Sequence, residues 1–145
     1  MPNYITRARL AAIIPPQFML EALDDNSDGV EDVGLFDEVL GAAQTKVNGI
    51  LGQRFAVPFV NPIPEIVADA TTTFFAELLY KRRGFGGEQK PNPWASDAKA
   101  AREKLERIAK GEEPLTPDLK REKPSASVIS EPSKTTSRTP GKSSI

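Results

Sequence analysis

From Leu35 to Leu51 the chain sets Leu35, Phe36, Val39, Leu40, Ala43, Val47, Ile50 and Leu51 at helical spacing. No run elsewhere alternates apolar and polar residues long enough to read as a half-buried strand, with Phe55–Val60 the one stretch able to pair with a neighbour. That stripe needs a cover, and the rest of residues 1–111 supplies further helices. Thr6 can cap a short helix running to Ile14, and the Pro15-Pro16 pair breaks it before a second segment at Gln17–Leu23 carrying Phe18, Leu20 and Leu23. Gly52 is placed to end the striped helix. Pro58, Pro62 and Pro64 hold residues 56–63 extended, and Pro64 suits the first turn of a helix that carries Ile66, Val67, Ala70, Phe74, Leu78 and Leu79 toward Gly84. After the glycine- and proline-rich break 84–93, Ser96 is placed to cap a last helix over 97–110. Ala98, Ala101, Leu105 and Ile108 line its apolar face, and Lys99–Glu103, Arg102–Glu106 and Glu103–Arg107 form i,i+4 pairs. The reading is all-α: a small bundle of about four to five helices, with a long extended C-terminal tail.

The tail begins where composition changes. Residues 112–145 hold five of the thirteen prolines, many Ser and Thr, no aromatic residue and few apolar side chains. Such a segment cannot bury enough apolar surface to offset its ordering entropy, so by itself it should be disordered and should order only on a partner. The division is therefore a helical domain over 1–111 and a partner-ordered tail over 112–145. With 145 residues the chain has material for one core and not two.

Composition also removes chemistry. There is no cysteine and no histidine, which excludes thiolate nucleophiles, cysteine-ligated metals, His-based triads and proton shuttles. The remaining carboxylates, lysines and hydroxyls are not grouped around a phosphate loop or a nucleophile elbow, so an enzyme ranks last. The longest apolar runs, such as Leu10–Ile14, fall far short of the roughly 18 residues that span a bilayer. Arg7 and Arg9 precede only six apolar residues, which is not a secretory leader, so synthesis in the cytoplasm with no membrane contact is expected.

The most specific local signal is the loop Asp24-Asp25-Asn26-Ser27-Asp28-Gly29-Val30-Glu31-Asp32. Counted from Asp24, Asp24, Asn26 and Asp28 offer oxygens at positions 1, 3 and 5, Gly29 stands at 6, the Val30 carbonyl at 7 and Asp32 at 9, as in a calcium-binding EF-hand loop. Position 12 is Leu35 rather than the bidentate glutamate, which should weaken any calcium site. The alternative is an interhelical turn capped by its own Asp and Asn side chains. Charge is segregated around it. Residues 21–38 hold eight acids and no base, whereas 81–110 hold nine bases and four acids, a distribution that suits either head-to-tail association between subunits or two solvated faces. Lys81-Arg82-Arg83 closes a helix where cations meet the C-terminal dipole. Nucleic-acid binding is a minor reading, because the domain is net acidic and no aromatic platform interleaves that patch. Trp94, just before the last helix, reads as a core or staple residue.

Tyr4-Ile5-Thr6-Arg7 with Leu10, the acidic loop, the helix end Val47-Asn48-Gly49-Ile50-Leu51-Gly52-Gln53-Arg54-Phe55 with Val57-Pro58, and Ala109-Lys110-Gly111 together resemble the Mu-like phage neck proteins, over roughly residues 2–118. The resemblance implies a non-enzymatic structural protein of a tailed-phage virion, a head-tail connector or head-completion adaptor. Its expected place is the neck, in a ring of twelve copies beneath the portal, presenting a surface to the next neck or tail-completion protein while genomic DNA passes through the lumen without specific binding. The long tail after Asp118 and Leu35 at the end of the acidic loop depart from the family pattern.

Within such a ring the lumen wall should be acidic, since cationic walls would hold phosphates, and the candidates are Glu21, Asp25, Glu31, Asp37 and Glu38. The tail is the expected portal contact. Val128 and Ile129, its one adjacent pair of apolar β-branched residues, would anchor strand addition, with Leu119, Lys120, Arg121 and Lys123 favouring an acidic groove. The rival reading is a calcium-dependent helical interaction module using the Asp24–Asp32 loop, and a DNA-packaging accessory protein follows it. No other cofactor is expected.

Overall fold

The computed structural model describes residues 2–116, and the chain up to Glu113 forms one compact unit. Its elements are α1 (Arg7–Ala11), α2 (Pro16–Ala22), α3 (Leu35–Leu51), α4 (Glu65–Arg82) and α5 (Ala95–Ala109). Among the described residues there is no strand, so the unit is all-α and Phe55–Val60 makes no strand pairing. The peptide bonds before Pro58 and Pro62 in this irregular stretch are cis. The tail from residue 117 onward lies outside the described residues.

Helix α4 is the axis of the unit. Helices α2, α3 and α5 all pack on it, and α3 and α5 also pack on each other. The apolar stripe expected for α4 is too narrow: Ala68, Phe75 and Ala76 are buried together with Val67, Ala70, Phe74 and Leu79, so the helix is covered on several sides. Thr71 and Thr72 are buried as well, and their hydroxyls donate to the Val67 and Ala68 carbonyls at 2.7 and 2.9 Å, which satisfies them without any partner beyond α4. Helix α3 buries Val39, Leu40, Ala43, Val47 and Leu51 as expected and also Gln44, which is 1% exposed. The Gln44 amide accepts from Tyr4 N–H at 2.8 Å and donates to the Pro2 carbonyl at 3.2 Å, tying the N-terminal segment onto α3. The Tyr4 hydroxyl donates to Asn48 Oδ1 at 2.7 Å and accepts from Phe59 N–H at 2.9 Å, so one side chain fastens both α3 and the proline-rich loop.

Several helix ends differ from the sequence expectation. Thr6 does cap α1, accepting from Arg9 N–H, but α1 stops at Ala11 and the chain turns through Ile14. Gly52 is right-handed and not a left-handed terminator. A Cβ there would stand 2.6 Å from the Asn48 carbonyl oxygen and 3.2 Å from Val57, so glycine is required by close approach. Ser96 lies inside the first turn of α5. The turn before that helix is instead held by Asn92, whose side chain accepts from Trp94 N–H at 2.9 Å and donates to the Glu77 carbonyl. Gly84 and Gly111 do have positive φ, and each ends its helix with the paired 6→1 and 5→2 hydrogen bonds of a Schellman turn, Phe85 to Tyr80 and Gly84 to Lys81 in α4, Glu112 to Arg107 and Gly111 to Ile108 in α5. The i,i+4 pairs foreseen on α5 are not closed. Lys104 bonds Glu113 at 2.9 Å and Arg107 pairs with the same carboxylate, holding Glu113 below the usual carboxylate range.

Candidate functional site

The acidic loop bridges α2 and α3, and short side chains build it from within. Asp24 accepts from Asp28 N–H at 3.1 Å and from Gly29 N–H at 2.8 Å, Asn26 accepts from Asp28 N–H at 3.2 Å, and Asp28 accepts from Val30 N–H at 3.0 Å. Asp32 closes the loop by accepting from Asp25 N–H at 3.0 Å while its own N–H donates to the Leu23 carbonyl. These bonds satisfy a backbone that has no ladder or helix to use. Ser27 and Gly29 take the left-handed conformations that fold the loop back. Loss of water raises the Asp24 pKa, but the converging N–H groups of Gly29, Asp28 and Ser27 outweigh that effect and leave the carboxyl below its ordinary value.

Asp24, Asp28 and Asp32, three of the five residues expected to form a cation loop, bring one carboxylate oxygen each to within 4.8 Å of one another. Position 12 is filled by Leu35, the first residue of α3, and adds no oxygen. The arrangement offers a cation a partial oxygen shell on an exposed turn.

The five acids proposed for a lumen divide into two groups. Glu21 pairs with Arg83 at 2.6 Å, Asp25 with Arg82 at 2.6 Å, and Glu31 forms a two-pronged pair with Arg7 at 2.9 Å. Arg82 also donates from Nε to the Ala22 carbonyl at 3.0 Å, so the end of α4 is clamped to the end of α2. The acidic and basic segments that sequence opposed to one another therefore meet inside one subunit, where helix packing places them within reach. Asp37 and Glu38, in the first turn of α3, stay exposed and without an ion-pair partner among the described residues.

Other residues carry more of the local electrostatics than sequence spacing indicated. Arg7 stacks its guanidinium 4.0 Å from the Phe36 ring centroid while holding Glu31, and so links α1, the acidic loop and α3. Arg9 reaches Glu65 at 2.9 Å and also pairs with Asp69. The Arg9 hydrogen bond and charge lower the Glu65 pKa, whereas loss of water and the neighbouring Glu65 charge raise that of Asp69. No periodicity signals these pairs, since 56 residues or more separate the partners. The patch Lys81–Arg83 does have aromatic neighbours. Phe18 stacks on Tyr80 at 4.1 Å, Tyr80 meets Phe85 and Trp94 at 5.6 and 6.4 Å, and Arg83 lies 5.2 Å over Phe18. The rings pack on one another and form a half-buried cluster that joins α2 to α4, with Trp94 at its edge. Leu119, Lys120, Arg121, Lys123, Val128 and Ile129 lie outside the described residues.

Comparison with protein families shows that residues 4–130 match the family described as Bacteriophage Mu, Gp36. The chain belongs to this family. The match opens at Tyr4, the residue that latches the N-terminal segment, and takes in every helix of the unit. Its end at residue 130 corrects the reading of a departure beginning at Asp118: the Gp36 pattern continues through Val128 and Ile129. No curated protein and no solved structure matches the chain.

Proposed function

We propose that this Gp36-family protein is a non-enzymatic structural component of a tailed-phage virion, an adaptor in the neck whose ring of copies joins the portal to the next neck or tail protein. The observation that carries this reading is the extent of the family match, which covers the whole helical unit and continues into the proline-rich segment as far as residue 130. A small helical body fused to a long, mostly polar arm suits a part that fills a joint: the body stacks with copies of itself and the arm reaches a neighbour. At roughly 3.3 Å per extended residue, the arm from residue 117 could span on the order of 95 Å. In this reading Leu119, Lys120, Arg121, Lys123, Val128 and Ile129 dock on the portal. Asp37 and Glu38 supply the acidic lumen wall, because Glu21, Asp25 and Glu31 are already neutralised within the subunit.

The test is a truncation after Glu113, a boundary that keeps the Lys104–Glu113 pair. Circular dichroism should show the helices retained, while pull-down with the portal protein of the same phage should fail. Retained portal capture would remove the arm from that interface. Mass measurement of the intact chain with and without portal then gives the number of copies.

The convergence of Asp24, Asp28 and Asp32 favours a second reading, in which the loop takes calcium as part of a helical interaction module. With no oxygen from Leu35, binding should be weak, and calorimetry on the full chain giving a Kd of about 1 μM or tighter would overturn that expectation.

A further inference from the structure

Where the ends of α2 and α4 meet, four aromatic rings share one surface. Phe18 lies on α2, Tyr80 in the last turn of α4, Phe85 just past it and Trp94 at the start of α5, and each is only half-buried. Separate devices hold them. Phe85 N–H donates to the Tyr80 carbonyl at 3.2 Å in the turn that closes α4, and Gly86 N–H donates to the Lys90 carbonyl, folding the glycine-rich loop beside it. Asn92 fixes Trp94 by bonding both its backbone N–H and the Glu77 carbonyl. Along the row Phe18, Tyr80, Trp94 the ring centres step by 4.1 and 6.4 Å, a span comparable to the roughly 9 Å covered by one three-residue turn of polyproline II. Gly84, Gly86 and Gly87 flank Phe85, and a Cβ at any of them would meet nothing within 4 Å, so the ground beside the row is open. The Tyr80 hydroxyl and the Trp94 indole N–H have no hydrogen-bond partner among the described residues and are not sealed from water. Lys81 and Lys90, exposed and without an ion-pair partner among the described residues, outweigh Glu88, the one acid of the loop 84–93, while Arg82 and Arg83 are neutralised by Asp25 and Glu21.

We propose that this aromatic row is a docking site for a proline-rich segment of a partner protein, bound in the polyproline II conformation and carrying a carboxylate beside its prolines. Pyrrolidine rings pack against aromatic edges and into the clefts between them, and the ligand is already extended before it binds, so little chain entropy is lost. Its carbonyls make no internal hydrogen bond and are free to accept from Tyr80 and Trp94. The two lysines then favour an acidic residue next to the prolines. A nucleic-acid base fits less well. Phe18 already carries Tyr80 stacked on it and the Arg83 guanidinium 5.2 Å over it, and Tyr80 is met by Phe18, Phe85 and Trp94, so the ring faces are taken. An amphipathic helix uses its carbonyls internally and would leave both donors unmatched. The row stands on geometry within the helical unit; its use in holding a neighbouring virion protein rests on the adaptor reading.

Trp94 is the chain's one tryptophan, so its emission reports on the row directly. The full-length chain titrated with a synthetic dodecaproline peptide bearing a glutamate at each end should show a saturable shift of that emission. A peptide of the same length with glycine and serine in place of the prolines should show none. Tyr80→Phe, which keeps the ring and removes the donor, should weaken binding several-fold, and calorimetry should give a comparable loss for Trp94→Phe. Lys81→Glu combined with Lys90→Glu should weaken binding of this peptide and leave that of uncharged polyproline unchanged. Circular dichroism confirms that each variant is folded. The proposal fails if the emission shows no saturable shift, or if Tyr80→Phe and Trp94→Phe both bind as the natural chain does. Tighter binding of oligothymidylate, of an amphipathic helical peptide or of a peptide copying residues 114–145 would overturn it by naming another occupant. No portal enters this measurement, so a failed titration leaves the adaptor reading intact. Virions without the protein at the neck would remove the adaptor reading and leave a positive titration standing.

Discussion

Helix α4 and the acidic loop 24–34 are both rich in polar atoms, yet they are stabilised in opposite ways. In α4 the buried polar groups, Thr71 and Thr72, are satisfied by their own helix, and the holding force is apolar burial of Phe74, Phe75 and Leu79 against three other helices. In the loop almost nothing apolar is buried, Val30 and Val33 face water, and the backbone is held by carboxylates and an amide accepting from N–H groups two to seven residues away. Burial resists local change poorly, because any lost volume leaves a cavity. Local hydrogen bonds tolerate substitution around them but depend on the protonation of their acceptors.

The contrast breaks most visibly at Phe74, which is fully buried. Phe74→Ala should cost about 3–5 kcal/mol in chemical denaturation, while Val33→Ala in the loop should stay within about 0.5 kcal/mol. Equal losses would mean that the loop packs on something in solution. Next in size is Tyr4→Phe, which leaves Phe59 N–H and Asn48 Oδ1 without the hydroxyl they share. It should cost about 1–2 kcal/mol and raise amide exchange at Phe59.

The loop's dependence on charge is sharpened by pH. Loss of water pushes the Asp24 pKa up, but the N–H groups of Gly29, Asp28 and Ser27 more than offset this and set it below 3.8. A carboxyl whose pKa is lowered by folding contributes stability above its ordinary value and loses that contribution as pH falls through the folded value. Asp24→Asn, which keeps only one of the two acceptor oxygens and loses the charge, should therefore lower stability at pH 7 and flatten the acid limb of the stability curve below about pH 4. An unchanged acid limb would assign it to Glu65 or Glu113, whose pKa values are lowered by their Arg9, and Arg107 and Lys104, partners. The smallest effect is expected at the clamp between the ends of α2 and α4. Asp25→Asn, at a side chain 64% exposed, should cost about 0.2–1 kcal/mol in low salt and less in high salt, because solvent screens the pair.

Sequence by itself determined the elements of this protein. The stripe over α3, the prolines before α2 and α4 and the glycines after α4 and α5 act through backbone sterics and local periodicity, which need no knowledge of the fold. The internal bonding of the acidic loop was legible for the same reason, since Asp, Asn and Gly there bond residues a few positions away. What only the tertiary structure decided is which faces meet. The width of the buried surface on α4, the burial of Gln44 as a bracket for Tyr4 and the quenching of Glu21, Asp25 and Glu31 by Arg83, Arg82 and Arg7 all join residues far apart in the chain. The segregation of acids and bases along the sequence left contact between subunits and two solvated faces equally open. Packing α4 against α2 brought those charges together within one subunit, because opposite charges attract wherever the fold places them in reach, and left Asp37 and Glu38 exposed without an ion-pair partner among the described residues.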